Sequence, residues 1–177
     1  MSATPTAPLP TFRTERLLLR PRTLADLDDC LGMDRDSEVG RFVPGPWDDP
    51  ESHRAFVLGR MATAFPPGLG YWTVVERRAP DRFLGWIMLT PLTERGTEVE
   101  IGWRFTPKAR GRGHATEAAR PVLAHAFATV GLPAVVADID PANARSVRVA
   151  QKLGMRVEAR SPSSVRYVAS PEPGVRA

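Results

Sequence analysis

The segment from residue 110 to 119 combines closely spaced glycines with arginines, in the order that an anion site requires. Gly111 and Gly113 flank Arg112, a strand-like apolar run precedes them, and a helix-like pattern follows. Small residues let the backbone approach an anion, and the first amides of a helix have no partner inside it. The segment therefore predicts a phosphate site, although an ordinary tight turn fits the Gly-x-Gly spacing equally well.

Two polar residues further along the chain, Asn143 and Ser146, lie three residues apart at the start of a predicted helix. That spacing places them on one face of the helix. Asparagine at a helix start is most often an N-cap, and a serine hydroxyl commonly bonds to its own helix backbone. Both side chains could instead face a ligand, and the residues alone leave these alternatives open.

The composition is that of about one globular domain, because 177 residues, 42% of them hydrophobic, can close a sizeable core. We expect a single domain over residues 11–170, with flexible termini at 1–10 and 171–177. No stretch approaches about eighteen consecutive apolar residues, so neither a transmembrane helix nor a membrane partner is predicted. The net charge is +4, but acidic and basic residues are interspersed, which disfavours direct nucleic-acid binding.

Cysteine and histidine usage limits the chemistry further. Cys30 is the only cysteine, so no intrachain disulfide can form, and a reducing cytoplasm fits best. The histidines, His53, His114 and His125, show no metal-ligand spacing, so no metal cofactor is predicted. The arginines between 104 and 112 would suit a polyanionic small ligand.

The apolar pattern of the first half predicts a strand and two helices, followed by three consecutive strands. The first strand covers residues 14–21, a helix follows Thr23 with Asp26 as its capping partner, and the second helix covers 50–65. The three strands cover residues 70–76, 83–89 and 98–105. Their short polar turns favour an antiparallel meander.

A loop rich in glycine and proline, residues 40–50, lies between the two predicted helices. Its apolar residues Phe42, Val43 and Trp47 are candidates to cover a pocket and to contact a substrate there. Folding back onto the core is the commoner use of such residues.

The second half predicts a helical crossover. A helix over residues 114–130 should be kinked at Pro121, because proline has no N–H to donate. A strand over 134–139 should then return parallel to residues 98–105. The remaining predicted elements are a helix over residues 143–154 and a final hairpin with strands at 155–159 and 165–169.

Three stretches together resemble the GNAT superfamily of acyl-CoA N-acyltransferases, most closely its branch of ribosomal-protein N-terminal acetyltransferases. They are TERLLLR at 14–20, VEIGW at 99–103 followed by RGRGHATEA at 110–118, and NARS at 143–146 with KLGM at 152–155. The middle stretch is similar to the family's cofactor motif, Arg/Gln-x-x-Gly-x-Gly/Ala. The resemblance spans roughly residues 14 to 157.

The resemblance implies an α+β (mixed α/β) fold with a central mixed, mostly antiparallel sheet flanked by helices. One pair of parallel strands, residues 98–105 and 134–139, would splay apart and admit acyl-pantetheine between them. Gly102 could permit a bulge in the first of these strands or give room to a bulky neighbour, and both interpretations carry equal weight.

The cosubstrate that the resemblance implies is acetyl-CoA, with its pyrophosphate held by backbone amides at the helix start. Asn143 would contact the pantetheine or a bound water, and a backbone N–H near Phe105 would stabilise the oxyanion. The cofactor-binding residues predicted on this basis are Phe105, Thr106, Arg110, Gly111, Arg112, Gly113, His114, Ala115, Thr116, Asn143 and Ser146.

The reaction that the resemblance implies is direct transfer of an acetyl group to a neutral primary amine. Glu100 is the candidate catalytic base, acting through water, and an ion pair that fixes the strand is its alternative role. Many superfamily members carry a tyrosine where this chain has Ala150. Ser146 is therefore the candidate that protonates the leaving thiolate.

Several alternatives remain open from the sequence. The donor could be another short acyl-CoA, and the chain could be a non-catalytic acyl-CoA sensor, because the tyrosine is absent and the final segment is short and rich in proline and serine. The acceptor could be a protein N-terminus or a small-molecule amine, such as an amino acid, a polyamine or an aminoglycoside. Homodimer formation is compatible with the sequence.

Overall fold

The computed structural model describes residues 9–93 and 96–171, and these ranges contain one eight-stranded sheet. In chain order the strands are β1 (Phe12–Arg13), β2 (Leu17–Pro21), β3 (Gly70–Glu76), β4 (Ala79–Pro91), β5 (Val99–Phe105), β6 (Val135–Ile139), β7 (Arg156–Arg160) and β8 (Val165–Ala169). The helices are α1 (Leu27–Asp34), α2 (Ser37–Gly40), α3 (Pro50–Ala62), α4 (His114–Ala128) and α5 (Ala144–Lys152), with 3-10 turns at Leu24–Asp26 and Pro107–Ala109.

The order of the strands across the sheet is β1-β2-β3-β4-β5-β6-β8-β7. All neighbours are antiparallel except β5 and β6, which are parallel and joined by the crossover helix α4. This arrangement confirms the predicted α+β class and the single parallel pair. The final hairpin is also present, with β8 inserted between β6 and β7.

The beginning of the described chain differs from expectation. Strand β1 was not predicted, because two residues are too few to show a periodic pattern. Leu9 and Pro10, expected to belong to a flexible terminus, are packed: Leu9 contacts the main core, and the Pro10 carbonyl accepts a hydrogen bond from Trp72 Nε1 at 2.7 Å. Residues 1–8 and 172–177 lie outside the described ranges.

The two faces of the sheet are covered by different helices. On β4, Ile87 belongs to the main core, in which α4 packs through Ala118, Ala119 and Val122. The adjacent residue Trp86 points to the other face, because side chains alternate along a strand, and it packs on a smaller cluster from α1 and α3. Residues of β5 with even numbers therefore face α1 and α3.

Gly102 gives room to a neighbouring side chain. The β4–β5 ladder shows no register shift, so the predicted bulge is absent from β5. A Cβ atom placed on Gly102 would lie 2.7 Å from the Cε atom of Met88, which is directly opposite it. The second interpretation of this glycine is therefore the correct one.

Helix α4 continues through Pro121 and ends at Ala128, two residues before the predicted end. Because proline has no N–H, the Glu117 carbonyl lacks the hydrogen bond that it would normally accept from residue 121. The buried face of the helix consists largely of alanines (Ala118, Ala119 and Ala126 are fully buried), which lets it lie close to the sheet.

Asp26 ties the first helix to the sheet. Its carboxylate is buried and accepts hydrogen bonds from Arg20 (2.9 and 2.6 Å), the Thr23 amide (2.8 Å) and Thr73 Oγ1 (2.9 Å). Burial alone would raise the pKa of Asp26, but these hydrogen bonds outweigh it and lower the pKa below its ordinary value.

We expect Asp26→Asn to lower the free energy of unfolding by roughly 2 kcal/mol at neutral pH, because it removes charge-assisted hydrogen bonds. A carboxyl group with a lowered pKa stabilises the fold above its ordinary pKa and loses that effect as the pH falls through the lowered one. The difference between wild type and variant should therefore shrink in strong acid. Urea unfolding across pH measures it, with Asp28→Asn as control, since the Asp28 side chain is 95% exposed. Equal losses in both variants would contradict the assignment.

Candidate active site

The parallel strands β5 and β6 are paired at a single position, Glu100 opposite Val136. Each strand is fully paired on its outer side: β5 with β4 from residue 99 to 105, and β6 with β8 from residue 135 to 139. Beyond Glu100 the two strands separate toward their carboxyl ends. The predicted splayed pair is therefore present, and it leaves a gap in the middle of the sheet.

The register of the β4–β5 ladder decides which backbone groups face this gap. Thr106 N donates to Leu84 O at 2.9 Å, so residues of β5 with even numbers direct their peptide groups to β4. Trp103 and Phe105 therefore direct theirs into the gap. Phe105, predicted to offer unpaired backbone groups, offers only its N–H, because Arg110 Nε donates to its carbonyl at 3.1 Å.

Two cavities meet at the gap. The larger cavity, about 660 Å³, lies between the 110–116 segment and α5, and the smaller cavity, about 360 Å³, lies on the α1 and α3 side of the sheet. Both are lined by Phe42, Val43, Trp103, Arg104, Asn143 and Ser146. A molecule that fills the larger cavity thus comes into contact with one in the smaller cavity.

The Gly-rich segment lines one side of the larger cavity. Gly111 and Gly113 adopt φ values of 74° and 79°, in the left-handed region that other residues rarely occupy. Gly113 is the N-cap of α4 and supplies no side chain to the first turn of the helix. The amides of His114, Ala115 and Thr116 therefore point to the cavity without helical partners, and the helix dipole favours an anion there.

Arg16 and Glu117 hold this segment in place. The Glu117 carboxylate accepts hydrogen bonds from Thr14 Oγ1 (2.6 Å), Arg16 N (2.9 Å) and Arg16 Nε (2.7 Å). The same arginine donates from Nη1 to the Arg112 carbonyl at 2.9 Å. Burial raises the pKa of Glu117, but the hydrogen bonds from Thr14 and Arg16 lower it overall, so the carboxylate is ionised at neutral pH.

Two further side chains brace the segment from inside. His114 Nδ1 donates to the Ala109 carbonyl at 3.1 Å, and burial, assisted by Arg16, lowers the pKa of His114, so the ring is neutral at pH 7. Arg110, which lines the larger cavity, is held by the Phe105 carbonyl and by Asp36, whose Oδ1 lies 3.8 Å from Arg110 Nη2. Thr106 and Arg112, both predicted to bind cofactor, do not line the larger cavity.

Asn143 and Ser146 lie where the cavities meet, at the start of α5. Asn143 Oδ1 accepts a hydrogen bond from Ser146 N at 3.1 Å, so this asparagine is the N-cap of the helix and also a cavity residue. Ser146 Oγ accepts from Trp103 Nε1 at 3.3 Å. One of its two acceptor lone pairs is thereby used, and its own O–H is left to donate.

Ala150, at the position where many superfamily members carry tyrosine, is fully buried in the main core and lines neither cavity. Helix α5 ends as predicted, with Gly154 at φ 75° after its last turn.

Glu100 lines the smaller cavity at the base of the gap. Burial raises the pKa of Glu100, and the nearby Asp138 carboxylate raises it further. No ion pair joins Glu100 to a described residue, whereas Arg166 binds Asp138 at 2.7 Å and Glu98 at 3.1 Å. A partly desolvated carboxylate that is not held in an ion pair is a better proton acceptor than one that is.

A buried ionic cluster in the wall between the cavities was not predicted from the sequence. Asp34 accepts from Arg104 Nη1 at 2.5 Å and from His53 Nε2 at 3.3 Å, and the exposed fractions of Asp34 and Arg104 are 5% and 11%. The Arg104 guanidinium also lies over the rings of Trp47 and Trp86, at 5.3 and 5.1 Å. An arginine inside an apolar strand was the only signal of this cluster in the sequence.

The loop over residues 40–50 covers the junction of the cavities, as one of its two interpretations predicted. Phe42 and Val43 line both cavities, and the Val43 side chain remains exposed. Trp47 instead packs edge-on against His53 and Phe56, at 5.1 and 5.9 Å between ring centroids.

Metal-ligand clusters and membrane-spanning helices are both absent from the described ranges. Within residues 9–93 and 96–171, no three His, Cys, Asp or Glu side chains cluster closely enough to hold a metal ion. Over the same residues, none of the helices is both long and apolar enough to cross a bilayer.

Comparison with known proteins identifies a family. Residues 16–156 match the family model described as an acetyltransferase (GNAT) domain. An uncharacterized N-acetyltransferase of Bacillus subtilis, YnaD, is 33% identical over 148 residues, which is 82% of this chain and 82% of that protein. FsC-acetyl coenzyme A-N(2)-transacetylase of Aspergillus fumigatus is 30% identical over 155 residues, 82% of this chain and 65% of that protein.

A solved structure shows that the likeness extends to the fold. The acetyltransferase from Agrobacterium tumefaciens superposes with a TM-score of 0.79 and 27% identity, covering 97% of this chain and 100% of the other.

We expect Asp34→Asn to destabilise the protein by roughly 3–5 kcal/mol, because it leaves the Arg104 guanidinium buried without its counterion. Urea unfolding followed by tryptophan fluorescence measures this, since Trp47 and Trp86 both contact Arg104. Glu76→Gln is the control: it breaks the exposed Arg82 pair at 2.9 Å and should cost less than about 1 kcal/mol. Similar losses for both variants would rule out a structural role for the buried cluster.

Proposed function

Because the chain belongs to the acetyltransferase (GNAT) family, we propose that it transfers an acetyl group from acetyl-CoA directly to a primary amine in the gap between β5 and β6. One observation carries this proposal: the larger and smaller cavities meet at the gap between β5 and β6, where two inner strands of the described sheet leave peptide groups unpaired. A thioester in one cavity and an amine in the other would come together there.

The residues of the larger cavity fit acetyl-CoA. Free amides at the start of α4 suit the pyrophosphate, and the cations on the opposite wall, Arg145, Arg148 and Lys152, suit a polyanion. When bound, acetyl-CoA supplies an acyl thioester that an amine can attack. The N–H groups of Trp103 and Phe105 are placed to donate to the thioester oxygen as negative charge develops on it.

Two side chains would carry the protons. Glu100 takes a proton from the ammonium form of the acceptor, directly or through water, so that the nitrogen lone pair becomes available. The new N–C bond forms as the C–S bond breaks, and the nitrogen must lose a proton while the thiolate gains one. The Ser146 hydroxyl relays that proton, giving its own proton to the sulfur as it accepts the proton from the nitrogen. Ser146 is suited to this relay because Trp103 Nε1 uses one of its two acceptor lone pairs, which leaves one lone pair and the O–H available.

The branch of the family, the cellular compartment and the acyl donor are each proposed on separate grounds. Placement in the ribosomal-protein branch rests on the TERLLLR stretch, and a reducing cytoplasm rests on the single buried cysteine, Cys30. Another short acyl-CoA as donor, or a sensor without turnover, would use the same larger cavity. The free carboxylate of Glu100 favours turnover over sensing.

Release of free thiol from acetyl-CoA with a panel of amines tests the proposal, and Glu100→Gln tests the mechanism. We expect the variant to lose about 100-fold in kcat, because it removes a general base, while CoA affinity in calorimetry changes less than about twofold. In the wild type, kcat should rise with pH as Glu100 ionises, with an inflection above its ordinary value of 4.5. That inflection should vanish in the variant.

Stability supplies the control for this variant. Since the pKa of Glu100 is raised by folding, the wild type loses stability as the pH rises from the ordinary glutamate value through the raised one. Glutamine does not ionise, so Glu100→Gln does not lose this stability. Its free energy of unfolding at pH 8 should be no lower than that of the wild type. A folded variant that keeps the wild-type kcat, or that keeps the wild-type pH profile, would refute Glu100 as base, and CoA binding without thiol release from any amine would favour a sensor.

We expect Arg16→Gln to weaken CoA binding by about tenfold, because the 110–113 segment loses the bonds that fix its amides. Calorimetry with CoA measures this, and kcat at saturating acetyl-CoA should be nearly unchanged. Arg13→Gln is the matched control, since Arg13 is an exposed arginine on the neighbouring strand β1. Equal affinities for wild type and Arg16→Gln would show that the clamp has no part in cofactor binding.

A further inference from the structure

Two arginines meet around one tyrosine at the end of the smaller cavity away from the larger one. The Arg22 guanidinium lies 3.6 Å above the centroid of the Tyr71 ring, and Arg60 Nε donates to the Tyr71 hydroxyl at 3.0 Å. Arg22 also contacts the Arg60 carbonyl, at 3.4 Å. All three side chains line the smaller cavity.

Neither arginine is neutralised by the described residues. No carboxylate oxygen among them lies within salt-bridge distance of Arg22 or Arg60, whereas Arg104 in the same cavity is paired with Asp34. Arg22 is half-buried, and burial lowers its pKa, while the neighbouring charge of Arg60 acts in the same direction. A cation held in this way is stabilised by any anion that enters the cavity.

Tyr71, at which both arginines converge, lies on the same face of the sheet as Glu100, two strands away. Tyr71 on β3 is opposite Met88 on β4, and Met88 is opposite Gly102 on β5, two residues from Glu100. Two strand spacings are about 10 Å, and the arginine and glutamate side chains shorten that separation. One small molecule can therefore reach both ends of a cavity of about 360 Å³.

We propose that the acceptor is a small amino acid-like molecule, whose carboxylate binds Arg22 and Arg60 while its amine lies at Glu100. This inference rests on the proposed acetyl transfer and narrows its acceptor class. The arginine fork suits a carboxylate, and the rings of Phe56, Tyr71 and Trp86 suit the apolar part of the molecule. A polyamine would instead bring positive charge to two unpaired guanidinium groups.

Both arginines also have structural roles, and the experiment must distinguish these roles from recognition of the acceptor. Arg22 stacks on Tyr71. Arg60 lies in the last turn of α3, where a positive charge interacts favourably with the helix dipole. A structural role would affect every acceptor alike. A recognition role would affect only acceptors that carry a carboxylate.

The test compares the common α-amino acids, their α-carboxamides and spermidine as acceptors by thiol release. We expect one or more amino acids to be used with a KM at least tenfold below that of the matching amide. Arg22→Gln should raise KM for the amino acid by tenfold to a hundredfold and leave KM for the amide unchanged. Arg60→Gln should act in the same direction more weakly, and Arg22→Lys should recover part of the loss.

Arg82→Gln is the control and should alter neither KM, because Arg82 pairs with Glu76 near the exposed beginning of β4. Equal use of acid and amide, preference for spermidine, or an equal loss for both acceptors in Arg22→Gln would overturn the carboxylate assignment and leave acetyl transfer intact. If no amine of the panel causes thiol release, the proposed acetyl transfer and the carboxylate assignment are both overturned.

Binding without turnover gives a second readout. The N-acetyl derivative of the best amino acid should quench the fluorescence of Trp86 and bind at least tenfold more tightly than the N-acetyl amide in the presence of CoA. Equal affinities would overturn the inference even if the kinetics agreed with it.

Discussion

The active site depends on one constraint: β5 and β6 must be neighbours in the sheet and yet remain almost unpaired. Each strand satisfies its other edge completely, β5 against β4 and β6 against β8. The single pairing at Glu100 and Val136 fixes where the strands begin to separate. Buried peptide groups that lack partners are costly, so the gap is stable only because a ligand or water can satisfy them.

The charged groups around the gap fall into two classes. Carboxylates in the walls are fully bonded: Asp26 to Arg20, Asp34 to Arg104 and Glu117 to Arg16. Asp34 and Glu117 join segments 70 and 101 residues apart through these arginines, and Asp26 reaches a segment 47 residues away through its hydrogen bond from Thr73. Groups that face the smaller cavity, Glu100 and Arg22, have no such partner among the described residues, and burial shifts the pKa of each toward its neutral form. Local stability is thus lower where the chemistry is placed.

The clamp between Arg16 and Glu117 gives a physical reason for two separate sequence stretches. TERLLLR and RGRGHATEA each resemble the family by themselves, but the sequence does not show that they touch. In the structure, Thr14 and Arg16 bond the Glu117 carboxylate and the Arg112 carbonyl. The first strand therefore shapes the anion-binding turn about 100 residues later.

The sequence by itself determined most of the elements and the glycine turn at Gly111 and Gly113, because periodicity and left-handed glycines are local properties. The mostly antiparallel sheet was implied by the resemblance to a family. Only the tertiary structure decided which residues meet in the smaller cavity. The pairing of Asp34 with Arg104 and the arrangement of Arg22 and Arg60 around Tyr71 join residues from α1, α3, the strands β3 and β5, and the position that follows β2. Such contacts follow from how the sheet and helices pack, and no short-range pattern encodes them.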